Sequence, residues 1–181
     1  MPIEKTKTLY PVSLSEAKVH LRVDSDYTLD DGYIENLIKA ATQQAENYIG
    51  KPIAKTSNVY SVYDWGGDTI RINEGNLLSV EYVISDASVA QTISATKSFY
   101  NYFEILLSTS VSSTTDYTPL KVEYTSGYDD QECPEVIKQA ILIMLASMYD
   151  INRDDTVPSY VKQSNASKML LDSYKLIDFS I

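Results

Sequence analysis

The segment PEVIKQAILIMLASMYDI, Pro134 to Ile151, constrains the fold more than any other. From Ala140 to Ala146 it holds seven apolar residues in succession. Pro134 suits a helix start, where its missing N–H is not needed, and the helix is expected to run to about Ile151. A helix that is apolar nearly all round must be covered on more than one side. A bilayer span takes roughly 18–20 apolar residues. This run is shorter and is bounded by Lys138 and Asp150. It is therefore expected to lie inside protein, covered by the chain's own core or by a neighbouring subunit.

The chain has 181 residues, 44% hydrophobic and 22% charged, which suits one domain or one domain with an inserted layer. Its formal charge is −10. A protein that grips nucleic acid carries a basic patch, because phosphate neutralisation drives affinity. No Lys/Arg cluster is visible here, so DNA near this chain is expected to be tolerated rather than gripped. The one cysteine, Cys133, allows neither a disulfide framework nor a Cys-based zinc site within one chain, and reads as a half-buried thiol beside a helix start. The opening MPIEKTKTLYP lacks the apolar core of a signal peptide.

Val12 to Ala17 marks a first helix. Ser13 can cap it and Glu16 stands three residues on, the spacing of a capping box. A second helix begins between Thr28 and Asp31. Its apolar set, Tyr33, Ile34, Leu37, Ile38, Ala41, Ala45, Tyr48 and Ile49, steps by three and four. Gly50 and Pro52 end it. From Val59 the period changes to two, and Gly66-Gly67-Asp68 followed by Ile70 and Ile72 predicts a hairpin. Further strands are expected at Val80–Ile84, Tyr102–Leu107 and Leu120–Thr125. Ser108 to Thr118 is polar, without a buried period, and reads as an exposed mobile loop. After a break at 152–158, a last short helix spans Asn165 to Lys175. The terminal Leu176, Ile177, Phe179 and Ile181 make an apolar end, which suggests a docking partner. The order helix, helix, strands, helix, helix predicts an α+β protein, mainly a helical bundle with a small antiparallel β domain inserted. The expected divisions are 1–57 helical, 58–126 β and 127–181 helical.

Residues for chemistry are scarce. His20, the single histidine, has no serine in a strand–turn–helix context to serve, so a Ser-His-Asp arrangement lacks support. Neither phosphate-binding glycine motif occurs. No catalytic residue, cofactor or metal site is expected. One metal pattern is nevertheless present: Asp24, Asp26, Thr28, Asp30 and Glu35 fall at calcium-loop positions 1, 3, 5, 7 and 12. Leu29, however, stands where that loop needs glycine for its sharp turn. The competing reading is that Thr28, Asp30 and Asp31 cap a helix and favour its positive end. Fifteen tyrosines against one Trp and three Phe fit either protein–protein contacts or half-buried strand faces.

Two segments together, PVSLSEAKVHLRVDSD with YIENLIKAATQQAENYIGKPI, resemble the N-terminal half of the head–tail connector (adaptor) proteins of tailed bacteriophages. VEYTSGYDDQECPEVIKQAILIMLASMYDINRDD resembles their C-terminal half, and LLDSYKLIDF their closing segment. Residues 86–118 carry no part of the resemblance. It implies a non-enzymatic virion protein at the head–tail interface, assembled in the host cytoplasm. Copies would form a homo-oligomeric ring, usually of twelve, beneath the portal protein. The ring would extend the DNA channel without binding DNA specifically and offer a platform to a stopper or other tail component. The resemblance implies no membrane partner. In this reading Ile141, Met144, Leu145 and Met148 pack the central helix on other helices and near neighbouring subunits. Leu176, Ile177, Phe179 and Ile181 dock on the portal. The alternatives are a stopper or tail-completion protein of the same machine, or a calcium-binding interaction module built on Asp24 to Glu35.

Overall fold

The structure is a computed structural model that describes residues 3–63, 66–84, 90–99, 101–111, 120–129, 132–151 and 165–175. The chain forms two compact units: Met1–Leu9 with Ala54–Asp129, and Tyr10–Ile53 with Asp130–Ile181.

The first unit is all β. Strands β1 (Ile3–Leu9), β2 (Lys55–Val62), β4 (Leu77–Ile84), β5 (Ala90–Gln91) and β8 (Leu120–Ser126) form a sheet in the order β1-β2-β8-β4-β5. Strands β3 (Gly67–Ile72), β6 (Ile93–Ser98) and β7 (Phe103–Val111) form a second, in the order β3-β7-β6. Every pairing is antiparallel. Central strand β8 shows why the sheets stack. Leu120, Val122, Tyr124 and Ser126 are buried, while Lys121 is exposed and Glu123 and Thr125 are half-buried. On β7, Phe103, Ile105 and Leu107 alternate in the same way. These faces join with Val62, Ile70, Ile72 and Val83 in one apolar core between the sheets. At its centre Phe103 meets Tyr124 edge-on, ring centroids 5.1 Å apart. The Tyr124 hydroxyl leaves the core by donating to Glu74, whose other carboxylate oxygen pairs with Lys5 Nζ at 2.6 Å. Burial, and then Glu74, push ionisation of this phenol far up.

This β unit corrects the expectation of a mainly helical bundle with a small β insertion. The protein is α+β, but eight strands in two sheets stand beside four helices among the described residues. The extra strands are those whose side chains bury little. Lys5, Thr6 and Lys7 on β1, an edge strand, are exposed or half-exposed, and β6 is exposed from Ser94 to Ser98. A strand without a buried side leaves no apolar alternation to read. The expected loop at Ser108–Thr118 is corrected for the same reason. Strand β7 runs on to Val111 with Ser108 and Ser110 exposed, and 112–119 lie outside the described residues. The expected hairpin around Gly66-Gly67 does not form either. Strand β2 pairs with β1 and β8, and β3 with β7, so the turn carries the chain from one sheet to the other. Gly67 has φ 146°, a backbone that a side chain disfavours.

The second unit is helical: α1 (Leu14–Leu21), α2 (Asp31–Ile49), α3 (Glu135–Ile151) and α4 (Asn165–Leu171), the last followed by a 3₁₀ turn at Asp172–Tyr174. The capping box forms as expected. Ser13 Oγ accepts from the Glu16 N–H at 3.2 Å, and a Glu16 carboxylate oxygen accepts from the Ser13 N–H at 2.8 Å. Gly50, at φ 76°, closes α2. Ile34, Ile38, Ala41, Ala45 and Ile49 form the buried side of α2, and Ile137, Ala140, Ile141 and Leu145 that of α3.

The hydrogen bonds from Ser13 hold the Glu16 carboxyl below its ordinary range. Because the folded value is depressed, the cap's contribution is present above the unfolded value and is lost as pH falls through the folded one. Glu16→Gln should therefore lower Tm at pH 7, and the gap to wild type should close below about pH 4. Ser13→Ala should cost about 1 kcal/mol. Thermal melts followed by circular dichroism across pH check both, and a Tm gap that ignores pH would contradict the first.

Candidate assembly surface

The sequence places its candidates on α3 and at the C-terminal end. Ile141, Met144 and Leu145 are buried in the core of their own helical unit, where α3 packs on α1, α2 and α4. Met148 is half-buried, the most accessible of the four. The other side of α3 is only partly covered: Val136 is exposed, and Ile143 and Ala146 are half-buried. One face of the apolar helix is thus occupied within the chain, and the second is half open. Leu176, Ile177, Phe179 and Ile181 lie outside the described residues. The element before them is described. The Tyr48 hydroxyl at the end of α2 donates to Asp172, and Lys175 Nζ sits 4.9 Å from the centre of the Tyr48 ring. Asp172 raises the pKa of Tyr48. Together these contacts tie the last described turn to α2.

The acidic stretch after α1 closes around a cation of its own chain. The Lys18 side chain is buried, and its ammonium donates to the carbonyls of Ser25 at 3.2 Å and Tyr27 at 2.9 Å. It pairs with Asp31 at 2.6 Å. The five carboxylate and hydroxyl positions of the calcium pattern do not converge. Asp30 accepts from the Tyr149 hydroxyl at 2.7 Å, and Asp24 accepts from the Asp26 N–H at 3.2 Å. No group of three or more metal-ligating side chains occurs among the described residues. Asp30 does stand at the start of α2, but its side chain makes no cap hydrogen bond. Its carboxylate is turned to Tyr149, which corrects the expectation that it caps. Lys18 was the signal to notice: with Leu14 and Leu21 it falls on the inward stripe of α1, just ahead of an acidic loop.

His20 sits half-exposed in the last turn of α1. Cys133 is buried, and burial pushes its thiol up to about 12, far from thiolate reactivity. The tyrosines take different places. Tyr124 is core and Tyr149 joins α3 to Asp30, whereas Tyr27 is exposed. No helix among the described residues is long and apolar enough to cross a membrane.

No curated protein matches the sequence. Among solved structures, a chain from the virion of a native gene transfer agent particle superposes with TM-score 0.74 at 15% identity, covering 98% of this chain and 96% of that one. A chain from the neck of a native particle computed with C12 symmetry gives 0.73 at 12% identity, with the same coverage. One from the neck of an empty particle computed with C6 symmetry gives 0.71 at 15%, again with the same coverage. At these identities the likeness is one of fold. Residues 11–98 match the family model of phage gp6-like head-tail connector proteins, a structural rather than enzymatic class. Over residues 11–98, just under half of its length, the chain is thus similar to gp6-like head-tail connector proteins, and it shares its fold over nearly the whole length with chains of particle necks.

Proposed function

We propose that this connector acts as an adaptor ring, about twelve copies seated beneath the portal protein at the head–tail interface of a phage-like virion. The observation that carries the reading is the family match over residues 11–98, joined to a fold that recurs in particle necks computed with C12 and C6 symmetry. The ring extends the DNA channel and presents a platform to a stopper or other tail component. Its subunits assemble in the host cytoplasm. The formal charge of −10 per chain favours a wall along which phosphates slide without sticking. Ile141, Met144 and Leu145 serve the ring indirectly, by holding α3 rigid inside each subunit. Leu176, Ile177, Phe179 and Ile181 dock on the portal.

The test is mass by light scattering with negative-stain imaging, with and without the matching portal. Rings, or a monomer that becomes a ring on the portal, are expected. Deleting Leu176–Ile181 should abolish portal binding and leave the circular dichroism spectrum unchanged. A truncated chain that binds the portal normally would overturn the docking role, and a full chain that ignores the portal would overturn the adaptor reading.

A further inference from the structure

The helical unit carries two exposed apolar spots of opposite electrostatic character, at opposite ends of α2. The first is the corner between α1 and α2. Leu29 is 84% exposed and Val19 76%, with Tyr27 also exposed. Leu and Val side chains held this far into water are costly unless something covers them. This corner is well ordered by its own bonds, because the buried Lys18 ammonium gathers the Ser25 and Tyr27 carbonyls and Asp31. Its outer rim is acidic. Residues 18–31 hold four carboxylates against two cations, and neither Asp24 nor Asp26 makes an ion pair among the described residues.

The second spot is α4 with its 3₁₀ turn. Met169 is 72% exposed. Here the balance is reversed: residues 165–175 hold two cations, Lys168 and Lys175, against one carboxylate, Asp172. The Tyr48–Asp172 hydrogen bond puts this turn at the C-terminal end of α2, whereas the acidic corner leads into its N-terminal end. Nineteen helical residues separate the two ends, about 28 Å at 1.5 Å per residue.

From this arrangement we infer that the acidic Val19/Tyr27/Leu29 corner of one copy docks on the basic Met169 surface of α4 in the next copy, head to tail. Two different, complementary patches at opposite ends of a subunit build a heterologous interface, the kind that closes into rings. A self-complementary contact would need both charges within one patch. The pre-ordered corner loses little conformational freedom on docking, and the opposite charges select orientation and speed encounter. The inference rests on the adaptor-ring reading and assigns its subunit contact.

A charge exchange in the full chain tests it, read by light scattering and negative stain with and without portal, and by circular dichroism for folding. Asp24→Lys with Asp26→Lys places like charges at the contact and should cut ring yield about tenfold or more. Lys168→Glu with Lys175→Glu should do the same. All four changes in one chain should restore rings, because each subunit then carries both exchanged patches. Since the contact is ionic at its rim, wild-type assembly should also weaken as salt rises. Folded double variants that assemble like wild type, or a folded quadruple variant that fails to recover, would overturn the contact while leaving a wild-type ring standing. A wild-type chain that never forms rings would overturn both the contact and the adaptor reading.

Discussion

Ile141→Asp should leave the helical unit unfolded and the protein insoluble. Ile141 is fully buried on α3 between Ile137 and Leu145, one helical turn to either side and equally buried. A carboxylate there has no water, and a cost of several kcal/mol is expected. Whole domains are stable by only about 5–15 kcal/mol, so one such charge is enough. The control is Ile143→Asp, two residues on, where the side chain is half-buried. It should fold with a much smaller drop in Tm. Solubility and thermal melts of the pair check the claim. A soluble Ile141→Asp protein with wild-type Tm would mean that this face of α3 is open. Ile143→Asp failing equally would mean that the second face is covered as well.

Phe103→Ala should remove about 3–5 kcal/mol from the β unit. Phe103 is fully buried at the centre of the two-sheet core, edge-on to Tyr124. Truncating it opens a cavity where both sheets contribute walls, and paired strands cannot collapse into it without giving up register. Tyr124→Phe keeps the ring and removes only the hydroxyl that donates to Glu74. Lys5 still pairs with Glu74 in that variant, so a loss of about 1–2 kcal/mol is expected. Urea denaturation followed by tyrosine fluorescence and circular dichroism would rank the two. A Phe103→Ala loss no larger than that of Tyr124→Phe would show that the sheets do not share one core.

The helices were readable because their determinants are local. Ser13 and Glu16 stand at the spacing a capping box needs, and both bonds form. The three-and-four spacing from Ile34 to Ile49 matches the buried side of α2, and Gly50 ends it where a left-handed residue was expected. The candidate surfaces were less legible. The apolar run in α3 announced burial without saying which residues the chain covers itself. Ile141 and Leu145 belong to the subunit's own core, and the most exposed large apolar side chains among the described residues are instead Val19, Leu29 and Met169. Leu29 stands alone in a polar loop, and Val19 and Met169 are single exposed apolar residues on short helices, so no repeating stripe marked them along the chain.

The acidic loop and the sheets show where pattern stops and packing begins. Five side chains at calcium-loop spacing say nothing of what the loop closes on, and the Ser25 and Tyr27 carbonyls with Asp31 close on Lys18 of α1. Strand formation at Val59–Val62 and Gly67–Ile72 was visible in the period-two alternation, yet the pairing was not. Strand partners are chosen by contacts distant in sequence, and β2 meets β8 more than fifty residues away. Local spacing alone therefore sufficed for where the helices begin, for the inward stripes and for the α+β class. The share of β structure, the sharing of strands between two sheets, and which apolar side chains stay exposed all followed from long-range packing. Burial and pairing energies there come from residues that the chain itself keeps far apart.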